Sequence, residues 1–282
     1  MVPSTNDVEL ALYDYGGVGS VLLLAHATGF HGRVWDPVAA HLGDFHVYSF
    51  DFRGHGDAVI PAGTTFEWEN FGDDVLAVVD AIVALPDNDF RGHGLLAAGH
   101  SKGGASLLLA EQKRPTTFAS LYLYEPVVFP GEAPATEQPN PLAAGALKRR
   151  AVFDSYDSAY ANFASKPPLD VLDPEALRAY VDHGFATEPD GSVRLKCRPT
   201  TESAVYAMGS RHSAWAHLDE VTCPVTVARG FDAPFTPASF APAIVERLPH
   251  GRLEHHPELG HFGPLEAPAL IAAAIRNALT AA

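Results

Sequence analysis

The chain is 282 residues long with 47% hydrophobic and 19% charged side chains, a balance that suits a globular fold with a sizeable core and excludes a disordered chain. Acidic residues outnumber Lys plus Arg by 34 to 19 and no dense basic run occurs, so a nucleic-acid partner is not expected. The two cysteines, Cys197 and Cys223, stand in no CxxC or Cys/His spacing, which argues against a disulfide framework.

The first residues, MVPSTNDVEL, lack the basic and then apolar stretches of a signal peptide, and no apolar run approaches the roughly 20 residues of a membrane helix. A soluble, cytoplasmic protein with no membrane partner is the expectation. Its negative balance weakly repels anionic substrates. In chain order, SVLLLAH (20–26), HVYSFD (46–51), GLLAAGH (94–100), LYLYEP (121–126), PVTVARG (224–230) and GRLEHH (251–256) read as strands. Several are apolar almost throughout, as parallel strands covered on both faces are. Between them VWDPVAAHLG, FGDDVLAVVDAIVAL, KGGASLLLAEQKR and PASFAPAIVERL have helical spacing, and APALIAAAIRNALTAA closes the chain as a last helix. This alternation predicts an α/β fold built on a doubly wound, mostly parallel sheet.

The alternation stops after Phe129, where the Pro-rich PGEAPATEQPNP (130–141) begins. Residues 130–218 read as a helical cap inserted into a core formed by 1–129 and 219–282. Within the cap, ALKRRAVFDSYDSAYANFA and DPEALRAYVDHGF carry helical patterns, the second with Asp173 as N-cap and Pro174 at its first position. Phe153, Tyr156, Tyr160 and Phe163 then share one helical face, most of them as packing and one or two as pocket lining.

Gly99-His100-Ser101-Lys102-Gly103 fits G-x-S-x-G at the join between a predicted strand and a predicted helix. That turn exposes the serine hydroxyl, its glycines let backbones pass closely, and the helix N-terminus aims N–H groups at a developing anion. Ser101 is therefore the candidate nucleophile. Its candidate base is His261, in HPELGHFGPLEAP between the last strand and the last helix, after the serine in chain order. His255 and His256 lie in the strand itself and read as structural.

These residues resemble the α/β-hydrolase superfamily, in its esterase-like branch with a cap inserted after the family's sixth core strand. The resemblance rests on HATGFHG (26–32), DFRGHG (51–56), GHSKGG (99–104) and GHFGPLE (260–266), in the family's order and spacing. It implies that the backbone N–H groups of Thr28 and Lys102 form the oxyanion hole. Ala27 stands where the family usually has glycine. Asp51 is implied to shape a turn and to do no chemistry.

For the acid there are two candidates. The family usually places it after the seventh strand, three residues beyond a glycine. Here RGFDAPFTP puts Ala233 at that offset from Gly230, with Asp232 one residue early. The second family position is the end of the sixth strand, where Glu125 stands and Pro130 follows at the spacing of relatives that use glutamate. The spacing favours Glu125 over Asp232. Lys102 can bias the pocket entrance toward anionic groups and Arg149 and Arg150 can meet a substrate carboxylate, but Lys102, whose side chain follows the nucleophile onto the helix, reads rather as solvated, as does the charge pair Arg149 and Arg150.

The implied function is a serine hydrolase that cleaves a carboxylic ester-like bond of a small molecule through an acyl-enzyme. Hydrolysis of a diketone-type carbon–carbon bond, a lactone or a thioester uses the same groups. A slow-turnover or non-catalytic ligand receptor is the reading from another class. Ser101 excludes the epoxide hydrolases and haloalkane dehalogenases of this fold, which need a carboxylate there. No HExxH occurs and the histidines are scattered, so no metal is expected. The glycines at 16–19 fit neither a P-loop nor a dinucleotide fingerprint, so no cofactor is expected either.

Overall fold

The computed structural model describes residues 1–86, 94–131, 140–209, 211–234 and 236–280. A short antiparallel pair, β1 (Val2–Pro3) and β2 (Glu9–Leu10), precedes β3 (Leu12–Gly16), β4 (Val21–Ala25), α1 (Asp36–Ala39) and β5 (His46–Phe50). Then follow α2 (Trp68–Val83), β6 (Leu95–His100), α3 (Lys102–Lys113) and β7 (Phe118–Tyr124). After the insertion come β11 (Val225–Arg229), α8 (Pro237–Arg247), β12 (Gly251–His255), α9 (Gly263–Glu266) and α10 (Pro268–Thr280), numbered to leave the insertion its own elements.

The central sheet has the order β12-β11-β7-β6-β4-β5-β3, with six strands parallel and β3 antiparallel at one edge. Every residue of β4 and β6 is buried, because helices cover both faces. Alternate residues of β4 feed two hydrophobic clusters. Leu23 and Ala25 pack with Phe71, Val75 and Leu108, while Leu22 and Leu24 pack with Val38, Ile271 and Ile275. The edge strand β3 carries tyrosines and a charge, which kept its pattern from reading as a core strand.

The insertion is not wholly helical. It comprises α4 (Pro141–Ala146), β8 (Val152–Phe153), α5 (Tyr156–Ala164), α6 (Pro174–Gly184), β9 (Phe185–Thr187), β10 (Val193–Leu195) and α7 (Pro199–Ala207), with a three-stranded antiparallel sheet β8-β10-β9. The expected helix over 146–164 is broken. Ser155 caps α5: its Oγ accepts from Ser158 N at 3.1 Å while Ser158 Oγ accepts from Ser155 N at 3.0 Å. Phe153 is therefore a strand residue, and Tyr156, Tyr160 and Phe163 alone share the helix. Asp173 caps α6 as its sequence predicts, accepting from Glu175 N at 2.8 Å.

The insertion shares its core with the sheet layers. Phe153, Tyr180 and Phe185 join the cluster of Leu22 and Leu24, and Val205 and Met208 join that of Leu23. Of the Pro-rich connector, residues 132–139 lie outside those described.

Candidate active site

Ser101 stands between the end of β6 and the start of α3, with φ 54° and ψ −113°. A side-chain-bearing residue in that region is strained by on the order of 1–3 kcal/mol. The glycines around it explain how the turn is held. A Cβ at Gly103 would lie 2.2 Å from the Ala25 carbonyl oxygen, so only glycine lets α3 sit against the end of β4. Ser101 N–H donates to Tyr124 O at 3.0 Å and Ser101 O accepts from Val127 N at 3.2 Å. Those two bonds bracket Glu125.

Glu125 begins the chain beyond β7, also at positive φ (45°), and its side chain is buried. Oε1 accepts from Gly230 N at 2.9 Å, and Oε2 accepts from His261 Nδ1 at 2.6 Å. A buried carboxylate on Nδ1 fixes the tautomer that leaves Nε2 as a base. The rest of the loop is pinned on all sides. Gly260 N and Phe262 N donate to the two oxygens of Glu266 at 2.9 and 3.1 Å. Tyr124 Oη donates to Gly260 O at 2.8 Å, and His100 Nε2 donates to His261 O at 2.7 Å. No hydrogen bond joins Ser101 Oγ to His261 here, as is common at such sites before substrate tightens them.

Asp232 is not brought to His261. It is exposed and paired with Arg229, because the one-residue offset turns it away from the loop that Gly230 begins. Gly230 instead gives its N–H to Glu125. Sequence reasoning singled out neither His100, Tyr124 nor Glu266, although His100 and Glu266 lie inside the motifs that located Ser101 and His261.

The loop after β4 carries Thr28, which is buried. His26 secures its base: Phe52 N donates to Nε2 at 3.1 Å and Nδ1 donates to Ala27 O at 2.7 Å. Burial holds this imidazole, and that of His100, well below the ordinary range, so both stay neutral. Asp51 accepts from Gly32 N, Tyr13 Oη and Asp57 N at 2.6, 2.7 and 2.7 Å and shapes the next turn. The backbone N–H of Lys102 lies in the first turn of α3, where no intrahelical acceptor exists. The side chain of Lys102 corrects the solvated reading. It is fully buried, with Nζ 3.7 Å from the centroid of Phe52 and 4.6 Å from that of Phe71, and burial pushes its amine well down.

A cavity of about 410 Å³ adjoins the site at Thr28 and at Phe262, the neighbour of His261. Its walls include Phe30, Phe163, Leu169 and Tyr206, so α5 does supply one of its aromatics to a pocket. Arg149 lines it too, which corrects the second solvated reading: it pairs with the buried Glu202, and only Arg150 remains mostly exposed. Ser101, Glu125 and His261 line neither this cavity nor a larger hollow of about 880 Å³ between residues 54–67 and 196–204, but only the smaller one reaches the neighbours Thr28 and Phe262. Among the described residues, no group of three or more His, Cys, Asp or Glu side chains is placed to hold a metal ion. Nor, among them, is any helix long and apolar enough to cross a membrane.

The family described as "Alpha/beta hydrolase family" matches residues 22–274. The lipase LipV of Mycobacterium tuberculosis is 26% identical over 275 residues, covering 96% of this chain and 98% of that protein. The monoglyceride lipase of Mus musculus is 30% identical over 131 residues, but the match spans only 46% of this chain and 39% of that protein. Among solved structures, E-2-(acetamidomethylene)succinate hydrolase superposes with a TM-score of 0.81 at 21% identity, over 99% of this chain and 98% of that one.

Proposed function

The chain belongs to the alpha/beta hydrolase family, and within it we propose that it is a serine hydrolase that cleaves a carboxylic ester-like bond of a small molecule through an acyl-enzyme. The observation that carries this reading is the 2.6 Å contact between buried Glu125 and His261 beside a serine held at positive φ. A carboxylate so placed orients the imidazole and stabilises the imidazolium that forms on it.

His261 Nε2 takes the proton of Ser101 Oγ as that oxygen attacks the ester carbonyl. The carbonyl oxygen becomes an anion that accepts from the backbone N–H groups of Thr28 and Lys102, each such donor being worth on the order of 3 kcal/mol. His261 returns its proton to the departing alkoxide, leaving the acyl group on Ser101. Water then enters, gives a proton to Nε2 and attacks the acyl carbonyl. Release of Ser101 Oγ, reprotonated by His261, yields the carboxylic acid. Neutral His100 donates to the His261 carbonyl throughout, which keeps the imidazole from drifting as it charges.

A fluorophosphonate probe with peptide mapping tests the assignment. Label is expected on Ser101 and lost in Ser101→Ala. Glu125→Gln is expected to slow labelling by about 10³-fold or more, since the amide misassigns the imidazole proton. Asp232→Asn is expected to label within about twofold of wild type, because an exposed surface ion pair contributes little. An unlabelled wild-type protein overturns the reading, and the reverse order of the two acid variants overturns the choice of acid.

A further inference from the structure

The cavity beside Thr28 has a charge pattern that the steps above leave unused. Its charged lining comprises three cations, Arg149, Arg150 and Lys166, and one anion, Glu202, in a chain of net charge −15. Arg149 is set into the wall, its side chain 22% exposed. Nη1 donates to Glu202 Oε2 at 2.5 Å and Nη2 to Tyr180 Oη at 2.5 Å. A guanidinium has five N–H donors, so these two bonds leave others for the cavity. The pair also abuts the oxyanion loop: a Cβ built on Gly29, next to Thr28, would lie 2.7 Å from Glu202 Oε1 and 3.5 Å from Arg149 Nη1. At the rim, among the described residues, Lys166 Nζ donates only to the neutral Asn162 Oδ1, at 2.8 Å, and the carboxylate nearest Arg150 is 3.9 Å away. Phe30, Phe163, Leu169 and Phe262 make the remaining wall apolar.

We propose that this cavity selects esters whose acyl chain ends in a carboxylate, half esters of short dicarboxylic acids, with that carboxylate on Arg149 and the methylenes against the apolar wall. The proposal rests on the serine-hydrolase reading, since it places the scissile carbonyl between Ser101 and Thr28. Nη1 and Nη2 of Arg149 each give one bond to the wall, and the N–H donors left on the planar guanidinium suit a second carboxylate. Glu202 and Tyr180 hold the fork in place, so little ordering remains for the substrate to impose. Arg150 and Lys166 reverse the sign of the field at the mouth, where the bulk charge alone would repel an anion. A neutral ester of the same length leaves the remaining Arg149 donors unpaired in a mostly apolar wall, and sites of that kind discriminate strongly.

Calorimetry on Ser101→Ala protein tests this without turnover, comparing monoethyl glutarate with ethyl pentanoate. The half ester is expected to bind at least about tenfold more tightly, the scale of one recognised polar group. In Arg149→Met/Glu202→Gln, which removes the cation with its counter-ion so that neither charge is stranded, that ratio is expected to fall close to one. The surface pair Arg150→Gln/Lys166→Gln is expected to lower it about threefold, as rim charges do. Equal or weaker binding of the half ester, or a ratio unmoved by the Arg149 variant, overturns the proposal. Hydrolysis by the wild type separates it from the reading it rests on. Turnover of both esters without preference refutes the carboxylate class and leaves the serine hydrolase standing. Absence of turnover together with absence of label at Ser101 refutes the hydrolase, while the binding ratio still decides whether the cavity holds a carboxylate.

Discussion

Ser101 and Glu125 end neighbouring parallel strands, and both sit at positive φ without being glycine. Two strained residues side by side, tied by the bonds of Ser101 to Tyr124 and Val127, place a hydroxyl and a carboxylate on the same rim of the sheet. Strain stored this way is measurable. Ser101→Ala keeps a Cβ at φ 54° and should leave stability nearly unchanged, whereas Ser101→Gly removes it. Relief of on the order of 1–3 kcal/mol, less the 0.5–1 kcal/mol that glycine's extra freedom costs, should make Ser101→Gly more stable than Ser101→Ala by about 1 kcal/mol. Urea melts of the two variants check this, and an equal or lower midpoint for the glycine variant would show an unstrained turn. The places of Ser101 and His261 in the fold were legible in the sequence because each is announced by its immediate neighbours. The carboxylate that meets His261 was legible only as a preference for Glu125, since two loops offer carboxylates and the folded register decides which reaches the imidazole. Lys102 was misread for a related reason: lysine is ordinarily solvated, and nothing local reveals that Phe52 and Phe71 close over this one.

The helix that follows the serine is placed by what its glycines lack. Gly103 meets the Ala25 carbonyl and Gly104 meets Pro126, where an added Cβ would lie 3.0 Å from the proline Cβ. The first contact is with backbone and cannot yield by a rotamer change. Gly103→Ala should therefore push α3 off the end of β4, destabilising the fold by about 3 kcal/mol, the upper part of the range for overpacking. On the proposed mechanism the same shift moves the Lys102 N–H away from the oxyanion, so kcat should fall by about tenfold or more in whatever protein remains folded. Gly145, with nothing within 4 Å of an added Cβ and its place inside α4, is the control and should tolerate alanine. Comparable melting temperatures for the two variants would contradict this account of the helix. Elements of this kind were largely legible: the continuous apolar runs of β4 and β6 and the helical spacing of α2 and α10 settle the α/β alternation. The insertion was legible only in part. Strands of two or three residues such as β8, β9 and β10 are too short to show a period, and Phe153 matched a helical face it does not occupy.

At the scale of the molecule, this fold buries an unusual set of bases close to its site. His26, His31, His55 and His100 are each at most 2% exposed, and burial holds every one of their imidazoles below the ordinary 6.5, His31 at about 4. His31 Nε2 donates to Tyr180 O at 3.1 Å and His55 Nδ1 to Arg53 O at 2.9 Å, while the second ring nitrogen of each is buried without a partner among the described residues, which suits the neutral form. In the unfolded chain the same groups take up protons as pH falls through 6.5, whereas in the folded chain they do not. The contribution of these imidazoles is therefore level above the unfolded value and declines below it, each approaching a slope of about 1.4 kcal/mol per pH unit. Asp51 and Glu111, whose carboxyls burial pushes up, act in the opposite sense, but two groups cannot offset four. A domain stable by the usual 5–15 kcal/mol should then lose much of that within about two pH units below 6.5, before most of its surface carboxylates are protonated. Urea titrations from pH 8 to 5 should show an unfolding free energy that falls gently above 7, by no more than the one proton of the buried Lys102 amine, and steeply below 6.5. Unfolding at pH 5 should take up more than one proton per chain, read from the buffer dependence of the calorimetric enthalpy. A level profile to pH 5 would mean that these imidazoles are charged in the fold. In that case the donor–acceptor pattern assigned to His26 and His100 would be wrong, and with it the account of how the Thr28 loop and the His261 carbonyl are held.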